Sequence, residues 1–442
     1  MIYRFLIIIY LFLSSINCIN IELSLDNKNE EELNPFVISL YEPLIEKNKI
    51  NPIDLFVVYD NSNYMRSRKQ NLKEVLFSIF DILDVNDSLS LISFNSACNI
   101  ELQLTLINNI DKEKFKTSIS NYIDKGKFDN PNRNYVSAIK EGVISQIEDI
   151  EEDNGRVQSI IFIVSGNNKG GSEPINYLKK LDLERKYDFT MHILSFGNVD
   201  RVSNNLVNFA IQRDGSFYAI KDFQNVKKYA LNIIGGIKTS KYKMVNISII
   251  SNYKLRTFYA QDHLPYYSKS SDYEISFPIF QFIIGKEYTF VFLLNINKKP
   301  LIGDRILFVN VAYKDFKGNL YKASKSLRFY NSIYLFNFKK DEYCRVWALT
   351  ILQKYKNIEK NKDNLEGYNK EINYMKKTCE VYLNANISKT LVKIGEGNKE
   401  YKQFYMNGVV SEAFLKKGGT NFWYSNEYQL QLINDENNKK IN

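Results

Sequence analysis

The sequence predicts an α/β fold, a doubly wound and mostly parallel sheet, joined to an antiparallel β-sandwich and a C-terminal helical hairpin. From Ile53 to about Ser240, short apolar runs alternate with helical patterns, which is typical of a parallel sheet covered on both faces. From about Lys241 to Tyr330, strand-like runs follow one another between turn signals, which indicates antiparallel strands. Beyond about Lys340 apolar residues recur at helical spacing.

The N-terminus predicts a secretory signal peptide over residues 1–18. Arg4 precedes the apolar run of residues 5–13, and small residues then lead to Cys18. The run is too short to span a bilayer as a helix. A buried first strand and an uncleaved anchor are the alternatives. No other stretch of the sequence is long and apolar enough to cross a membrane.

The pattern divides the rest of the chain into five further segments. The strand signal of residues 19–50 resembles that of the later sandwich, so the α/β domain is expected to be inserted between the two parts of the sandwich. The predicted segments are 19–50 for the N-terminal strands, 51–240 for the α/β domain, 241–335 for the sandwich, 336–432 for the helical region and 433–442 for a solvated tail.

The strand-like runs of the α/β domain place one acidic residue at a ligand-binding position. Residues 72–83 carry an apolar stripe at helical spacing, which predicts a helix packed on the sheet. Asp60 directly follows the first run, and ligands of such sheets bind at the carboxyl ends of the strands. The runs lie at residues 53–59, 88–94, 159–165, 190–196 and 216–220.

The run IDLFVVYDNSNYM at residues 53–65 resembles the first strand and loop of the von Willebrand factor type A (vWA) family, whose pattern is Asp-x-Ser-x-Ser. Asp60 and Ser62 are kept, and Tyr64 stands where the second Ser belongs. VQSIIFIVSG at 157–166, MHILSFG at 191–197 and residues 214–237 are similar to later elements of the family. The resemblance implies a Rossmann-like vWA domain.

The flanking segments resemble one branch of that family, plant vWA proteins that carry a RING finger. The strand before the vWA unit, the β domain after it and the run at residues 404–431 are similar to that branch. The sequence contains no Cys-x-x-Cys pair, so the finger and its ubiquitin-ligase activity are absent.

The resemblance implies a metal site that has lost several ligands. Family members hold a divalent cation with oxygen ligands from three loops, but here Tyr64, Arg133 and Gly166 replace a Ser, a Thr and an Asp. Asp60 and Ser62 alone do not supply the oxygen shell of Mg²⁺, so neither a metal nor another cofactor is expected. In one alternative Arg133 pairs with Asp60 and replaces the cation. In the other Arg133 points into solvent and Asp60 caps the next helix.

Composition excludes several functional classes. The net charge of +9 comes from 59 basic and 50 acidic residues spread along the chain, which does not favour nucleic-acid binding. The two histidines, His192 and His263, lie in different predicted domains. A Ser-His-Asp or Cys-His site is therefore not supported, and we expect no enzymatic activity.

The cysteines and the N-glycosylation sequons predict covalent modifications of a secreted chain. Cys344 opens one predicted helix and Cys379 lies near the end of the next, so an antiparallel hairpin brings the thiols together. A disulfide and a pair of buried free cysteines remain as alternatives. Asn86, Asn246 and Asn386 begin N-x-Ser sequons that a secreted chain can use.

Together these features predict a secreted or cell-surface protein that binds a protein ligand or mediates adhesion through a degenerate, metal-free adhesion site. The loops at 60–68, 129–136 and 165–171 would form the binding surface, with Tyr64, Arg66 and Arg133 as contacts. A structural scaffold and an intracellular adaptor derived from the ligase branch are the alternatives. The sequence predicts no oligomeric state.

Overall fold

The computed structural model describes most of the chain between residues 19 and 379. The described residues are 19–25, 33–42, 50–165, 173–183, 187–196, 206, 209–210, 213–220, 226–256, 268–285, 287–296, 300–329, 340–354 and 362–379. The predicted signal peptide (residues 1–18), Gly166, Asn386 and the predicted tail lie outside this part of the chain.

A six-stranded sheet forms the centre of the α/β domain. Its strands are β3 (Ile53–Asp60), β4 (Ser88–Phe94), β5 (Cys98–Leu106), β6 (Val157–Ser165), β7 (Thr190–Phe196) and β8 (Phe217–Ile220). Their spatial order is β5-β4-β3-β6-β7-β8, and all neighbouring pairs are parallel except β4 and β5. The strand β5 is not among the runs predicted from the sequence, because its residues alternate between half-buried and exposed and form no apolar run.

Helices cover both faces of this sheet, as expected for a doubly wound fold. Leu55 and Val57 of β3 belong to one apolar cluster, whereas Phe56 and Val58 belong to another. The alternation follows from the period of two in a strand. The helices are α1 (Lys69–Ile82), α2 (Lys112–Lys125), α3 (continuous through Tyr135–Ser137, Ala138–Ile144 and Ser145–Ile147), α4 (Glu173–Leu183) and α5 (Val226–Lys238).

Two antiparallel sheets form the β-sandwich. Of the two N-terminal strands, residues 33–41 pair with residues 287–295 of the later part, and residues 20–25 pair with residues 36–41. The α/β domain is therefore inserted between the two parts of the sandwich. Rings from the two sheets meet in the core; the centroids of Phe277 and Phe290 lie 4.7 Å apart. One sheet contains β1 (Asn20–Leu25), β2 (Leu33–Tyr41), β13 (Glu287–Asn295) and β10 (Lys254–Arg256). The other contains β11 (Ser268–Ser271), β12 (Glu274–Ile283), β9 (Ser240–Ser251), β14 (Arg305–Asp315) and β15 (Leu320–Arg328).

The sandwich packs against the end of the parallel sheet where the strands begin. Gln281 Nε2 donates to the carbonyl of Gln158 at 2.6 Å, and the Gly155 amide donates to the carbonyl of Phe316 at 2.9 Å. Lys243 of β9 lies 2.9 Å from Asp153 and 2.8 Å from Asp188. The carboxyl ends of the parallel strands therefore lie at the opposite end of the domain, away from this contact.

Two helices follow the sandwich, α6 (Lys340–Lys354) and α7 (Lys362–Cys379). A disulfide joins Cys344 to Cys379, which is one of the two alternatives left open by the sequence. No helix in the described part of the chain combines the length and hydropathy needed to cross a membrane.

Candidate functional site

The candidate site lies where β3, β4 and β6 end. The backbone leaves β3 at Asp60 and forms a 3₁₀ turn over Asn63–Arg68 before α1 begins. The amide of Asn61 donates to the carbonyl of Phe94 at the end of β4, at 2.9 Å. A hydrogen bond therefore joins the first residue of the loop, Asn61, to the end of the neighbouring strand.

A buried ion pair occupies the centre of the site. Arg133 Nε lies 3.1 Å from Asp60 Oδ2, and the two side chains are only 3% and 0% exposed. Arg133 Nε also lies 3.2 Å from Ser62 Oγ, and Nη1 donates to the carbonyl of Ser165 at 3.2 Å. The other Asp60 oxygen accepts from the amide of Ser62 at 2.8 Å. A buried charge pair requires such additional hydrogen bonds to offset its desolvation.

The sequence left two alternatives for Arg133, and the structure has the one in which Arg133 pairs with Asp60. The second alternative, an Arg133 in solvent and an Asp60 that caps the next helix, is not what the structure has: the amide that donates to the other Asp60 oxygen belongs to Ser62 of the loop, and neither the 3₁₀ turn nor α1 has a side-chain cap. The ion pair with Arg133 uses Asp60 Oδ2, whereas the Ser62 amide donates to Asp60 Oδ1. The two interactions therefore do not compete.

Tyr64 covers the guanidinium of Arg133. The Arg133 Cζ lies 4.1 Å from the centroid of the Tyr64 ring, a cation–π distance. The Tyr64 ring is 43% exposed, so one face contacts the arginine and the remainder faces solvent. Arg66 is exposed beside it, and its Nε donates to the carbonyl of Phe128 at 3.1 Å.

Hydrogen bonds at several asparagines, none of them among the predicted site residues, hold the surrounding loops. The amide of Asn63 donates to the carbonyl of Asn130, Asn130 Nδ2 donates to Ser96 Oγ, and the amide of Asn134 donates to the carbonyl of Asn95. Asn side chains also accept from nearby backbone amides: Asn130 Oδ1 accepts from the Asn132 amide, and Asn134 Oδ1 accepts from the Ser137 amide, each at 2.9 Å. Asn is suited to such loops because its side chain bonds to nearby backbone groups, and the clustering of Asn after two strand patterns and before α3 is the signal in the sequence.

The residues do not fit the divalent cation that the resemblance implies. A magnesium ion requires oxygen ligands at about 2.0–2.1 Å. Arg133 Nε already lies 3.1–3.2 Å from both oxygens that would have to bind it, those of Asp60 and Ser62, and the guanidinium would repel a cation. In the described part of the chain, no group of three or more His, Cys, Asp or Glu side chains is placed to share a metal.

The predicted partner-binding residues separate into two layers. Asp60, Ser62 and the Arg133 side chain are buried, whereas Tyr64 and Arg66 are exposed. The expectation that Arg133 itself presents a contact surface is therefore corrected, since hydrogen bonds to Asp60, Ser62 and Ser165 turn its side chain inward. Gly166 and most of the predicted loop 165–171 lie outside the described residues.

The remaining predicted sites lie away from these loops. Asn86 and Asn246 are exposed, and Asn386 is not among the described residues. Cys98 is a free cysteine at the start of β5. Cys98 is partly exposed, because β5 is an edge strand of the sheet.

The class of protein follows from comparison with known families and folds. Residues 54–232 match the von Willebrand factor type A domain, so this part of the chain is a vWA domain. Comparison with curated protein sequences gives no match. The resemblance to plant RING proteins stays a prediction.

Two solved structures are similar to this fold over most of the chain. A von Willebrand factor type A protein from Catenulispora acidiphila aligns with a TM-score of 0.59 at 10% identity, covering 85% of this chain and 89% of that one. The ArnB paralog VWA2 from Sulfolobus acidocaldarius aligns with a TM-score of 0.53 at 12% identity, covering 89% and 97%. At these identities the likeness concerns the fold alone.

Proposed function

We propose that this protein is secreted or displayed at a cell surface and binds a protein partner through the carboxyl-end loops of its vWA domain, without a bridging cation and without enzymatic activity. The observation that carries the proposal is the Asp60–Arg133 pair, buried beneath the exposed ring of Tyr64. The vWA domain supports it, since vWA domains generally mediate protein–protein binding.

The exposed residues of these loops have the chemistry of a binding surface. Asn63, Tyr64, Arg66 and Asn132 are exposed, and we call them the loop surface. Tyrosine and arginine are enriched among residues that dominate binding energies. The buried pair and the asparagine hydrogen bonds hold these residues in place before binding, which lowers the entropic cost of association.

Secretion is proposed on independent grounds. The Cys344–Cys379 disulfide is of a kind that persists in oxidising compartments. Two of the three sequons begin at exposed asparagines, Asn86 and Asn246. Expression of the full chain in a eukaryotic host tests this directly. We expect the protein to appear in the culture medium, with its N-terminus near residue 19 and with a mass that falls after glycosidase treatment. An unmodified chain that stays inside the cell would favour the adaptor alternative.

Affinity capture tests the binding site. The protein is used to capture partners from the secreted fraction of its host, once with Mg²⁺ and once with EDTA, and captured proteins are identified by mass spectrometry. Tyr64→Ala is expected to reduce capture of a partner by roughly tenfold or more, as for a hot-spot residue, and EDTA to leave capture unchanged.

Tyr41→Ala is the matched control, because Tyr41 is 39% exposed but lies on the sandwich. Equal capture by wild type and Tyr64→Ala would favour the scaffold alternative. Loss of capture in EDTA would contradict the metal-free mechanism.

A further inference from the structure

The end of the sandwich farthest from the vWA domain carries an exposed apolar turn. Leu301 and Ile302 are 75% and 65% exposed. The strand β9 begins at Ser240 beside the vWA domain and ends at Ser251 after 12 residues, which corresponds to about 40 Å. Ser251 pairs with Leu307 of β14, so residues 301–304, called the distal turn, lie at that far end.

The distal turn is held in a fixed conformation. The Leu301 amide donates to Asp304 Oδ2 at 2.8 Å, and the Asp304 amide donates to the carbonyl of Leu301 at 3.0 Å. Gly303 has a φ of +92°, which glycine accepts without strain, and its amide donates to the carbonyl of Phe329 at 2.7 Å. The two aliphatic side chains are therefore presented to solvent by an ordered backbone.

Two exposed arginines flank this turn. Arg305 and Arg328 are exposed and face each other across β14 and β15, an arrangement of like charges that destabilises a sheet. Arg328 Nη1 donates to the carbonyl of Gly303 at 3.0 Å, and neither arginine has an acidic partner among the described residues. The nearby acids are engaged: Asp304 within the turn, and Asp272 with Lys254 at 3.6 Å.

We propose that the distal turn docks on an anionic phospholipid bilayer, with Leu301 and Ile302 entering the interface and Arg305 and Arg328 contacting phosphate groups. Arginine binds phosphate through two parallel hydrogen bonds, and basic groups are attracted to anionic leaflets. Tyr273 lies at the same end, since its carbonyl accepts from the Ser251 amide, and its ring is 44% exposed. Tyrosine is favoured at membrane interfaces.

The shape of the turn favours a bilayer over a protein. Two projecting side chains on a four-residue turn form a small convex surface, whereas a stable protein interface buries about 800 Å² on each partner. A bilayer requires no complementary surface. Because the loop surface lies at the other end of the molecule, docking in this way would leave it free to bind its partner.

Co-sedimentation of the full-length protein with vesicles tests the proposal. Wild type is expected to bind vesicles of phosphatidylcholine with phosphatidylserine, and to bind vesicles of phosphatidylcholine alone much more weakly. The double variant Leu301→Asp with Ile302→Asp should lower the apparent affinity by roughly tenfold or more. Arg305→Gln with Arg328→Gln should weaken binding and reduce its dependence on salt.

Leu320→Asp is the matched control. Leu320 is 81% exposed on the same sheet but begins β15 at the end near the vWA domain. Because all these side chains are exposed, melting temperatures should match wild type.

Three outcomes would overturn the proposal. The first is an absence of binding by wild type, or equal binding to both kinds of vesicle. The second is an equal loss of binding in Leu320→Asp. The third is self-association of wild type in sedimentation velocity that the Leu301→Asp and Ile302→Asp variant abolishes, which would make a second copy of the chain the occupant.

Discussion

Arg133 Nε lies 3.1 Å from Asp60 Oδ2, with both side chains excluded from solvent. Arg133 therefore places a positive charge of the chain itself beside the Asp60 carboxylate. The two side chains come from different loops, one after β3 and one before α3, so their pairing also fixes the relative positions of those loops.

Removal of the carboxylate should destabilise the vWA domain. Asp60→Asn leaves the Arg133 guanidinium buried without a countercharge, and we expect a loss of about 3–5 kcal/mol in the free energy of unfolding. Denaturant titration measures it. Asp129→Asn, in the same loop region but exposed, should change stability by less than about 0.5 kcal/mol. The double variant Asp60→Leu with Arg133→Met should lose less than the two single changes together, and additive losses would show that the pair is not coupled.

Divalent cations should not stabilise the protein. Arg133 Nε lies 3.1–3.2 Å from Asp60 Oδ2 and Ser62 Oγ, so Mg²⁺ would have to displace the guanidinium in order to bind them. A site filled at 100 times its Kd would add about 2.7 kcal/mol, so a thermal melt is a sensitive measurement. We expect equal melting temperatures with Mg²⁺, Mn²⁺ or EDTA. Calorimetric heat from millimolar Mg²⁺ that Asp60→Ala abolished would contradict the metal-free site.

The contact between the vWA domain and the sandwich should weaken in acid. Burial raises the pKa of Asp153, but the hydrogen bonds and charges of Lys243 and Lys314 outweigh burial and hold it below its ordinary value of 3.8. The stability from this group is therefore present above pH 3.8 and is lost as the pH falls through the lower folded pKa.

Asp153→Asn should reduce that loss, since Asn also accepts the positive φ of +58° at this position. Acid titrations followed by circular dichroism compare it with Asp149→Asn, an exposed control. Identical acid-unfolding curves for wild type and Asp153→Asn would contradict the prediction.

The C-terminal hairpin should depend on its disulfide. Replacing both Cys344 and Cys379 with Ser should lower the local stability of α6 and α7 by about 2–4 kcal/mol, measured by hydrogen exchange of their amides. In wild type, a thiol reagent should label these two residues only after reduction. Labelling before reduction would show that the cysteines are free.

Much of the fold could be predicted because its signals are local. The apolar runs that became β3, β4, β6 and β7 are buried throughout or nearly so, and a central parallel strand has to be apolar on both faces. The edge strand β5 was missed for the same reason, since one side of it meets no neighbour and its residues need not be apolar.

The order of strands and helices in the α/β domain and the candidate residues Asp60, Ser62, Tyr64 and Arg133 could be read from local patterns in the sequence. The inward direction of Arg133 beneath Tyr64, and the position of the Leu301–Ile302 turn far from the loop surface, became visible only in the folded molecule. The physical reason is that residue type limits which interactions are possible, whereas direction and burial depend on neighbours that are distant in the chain.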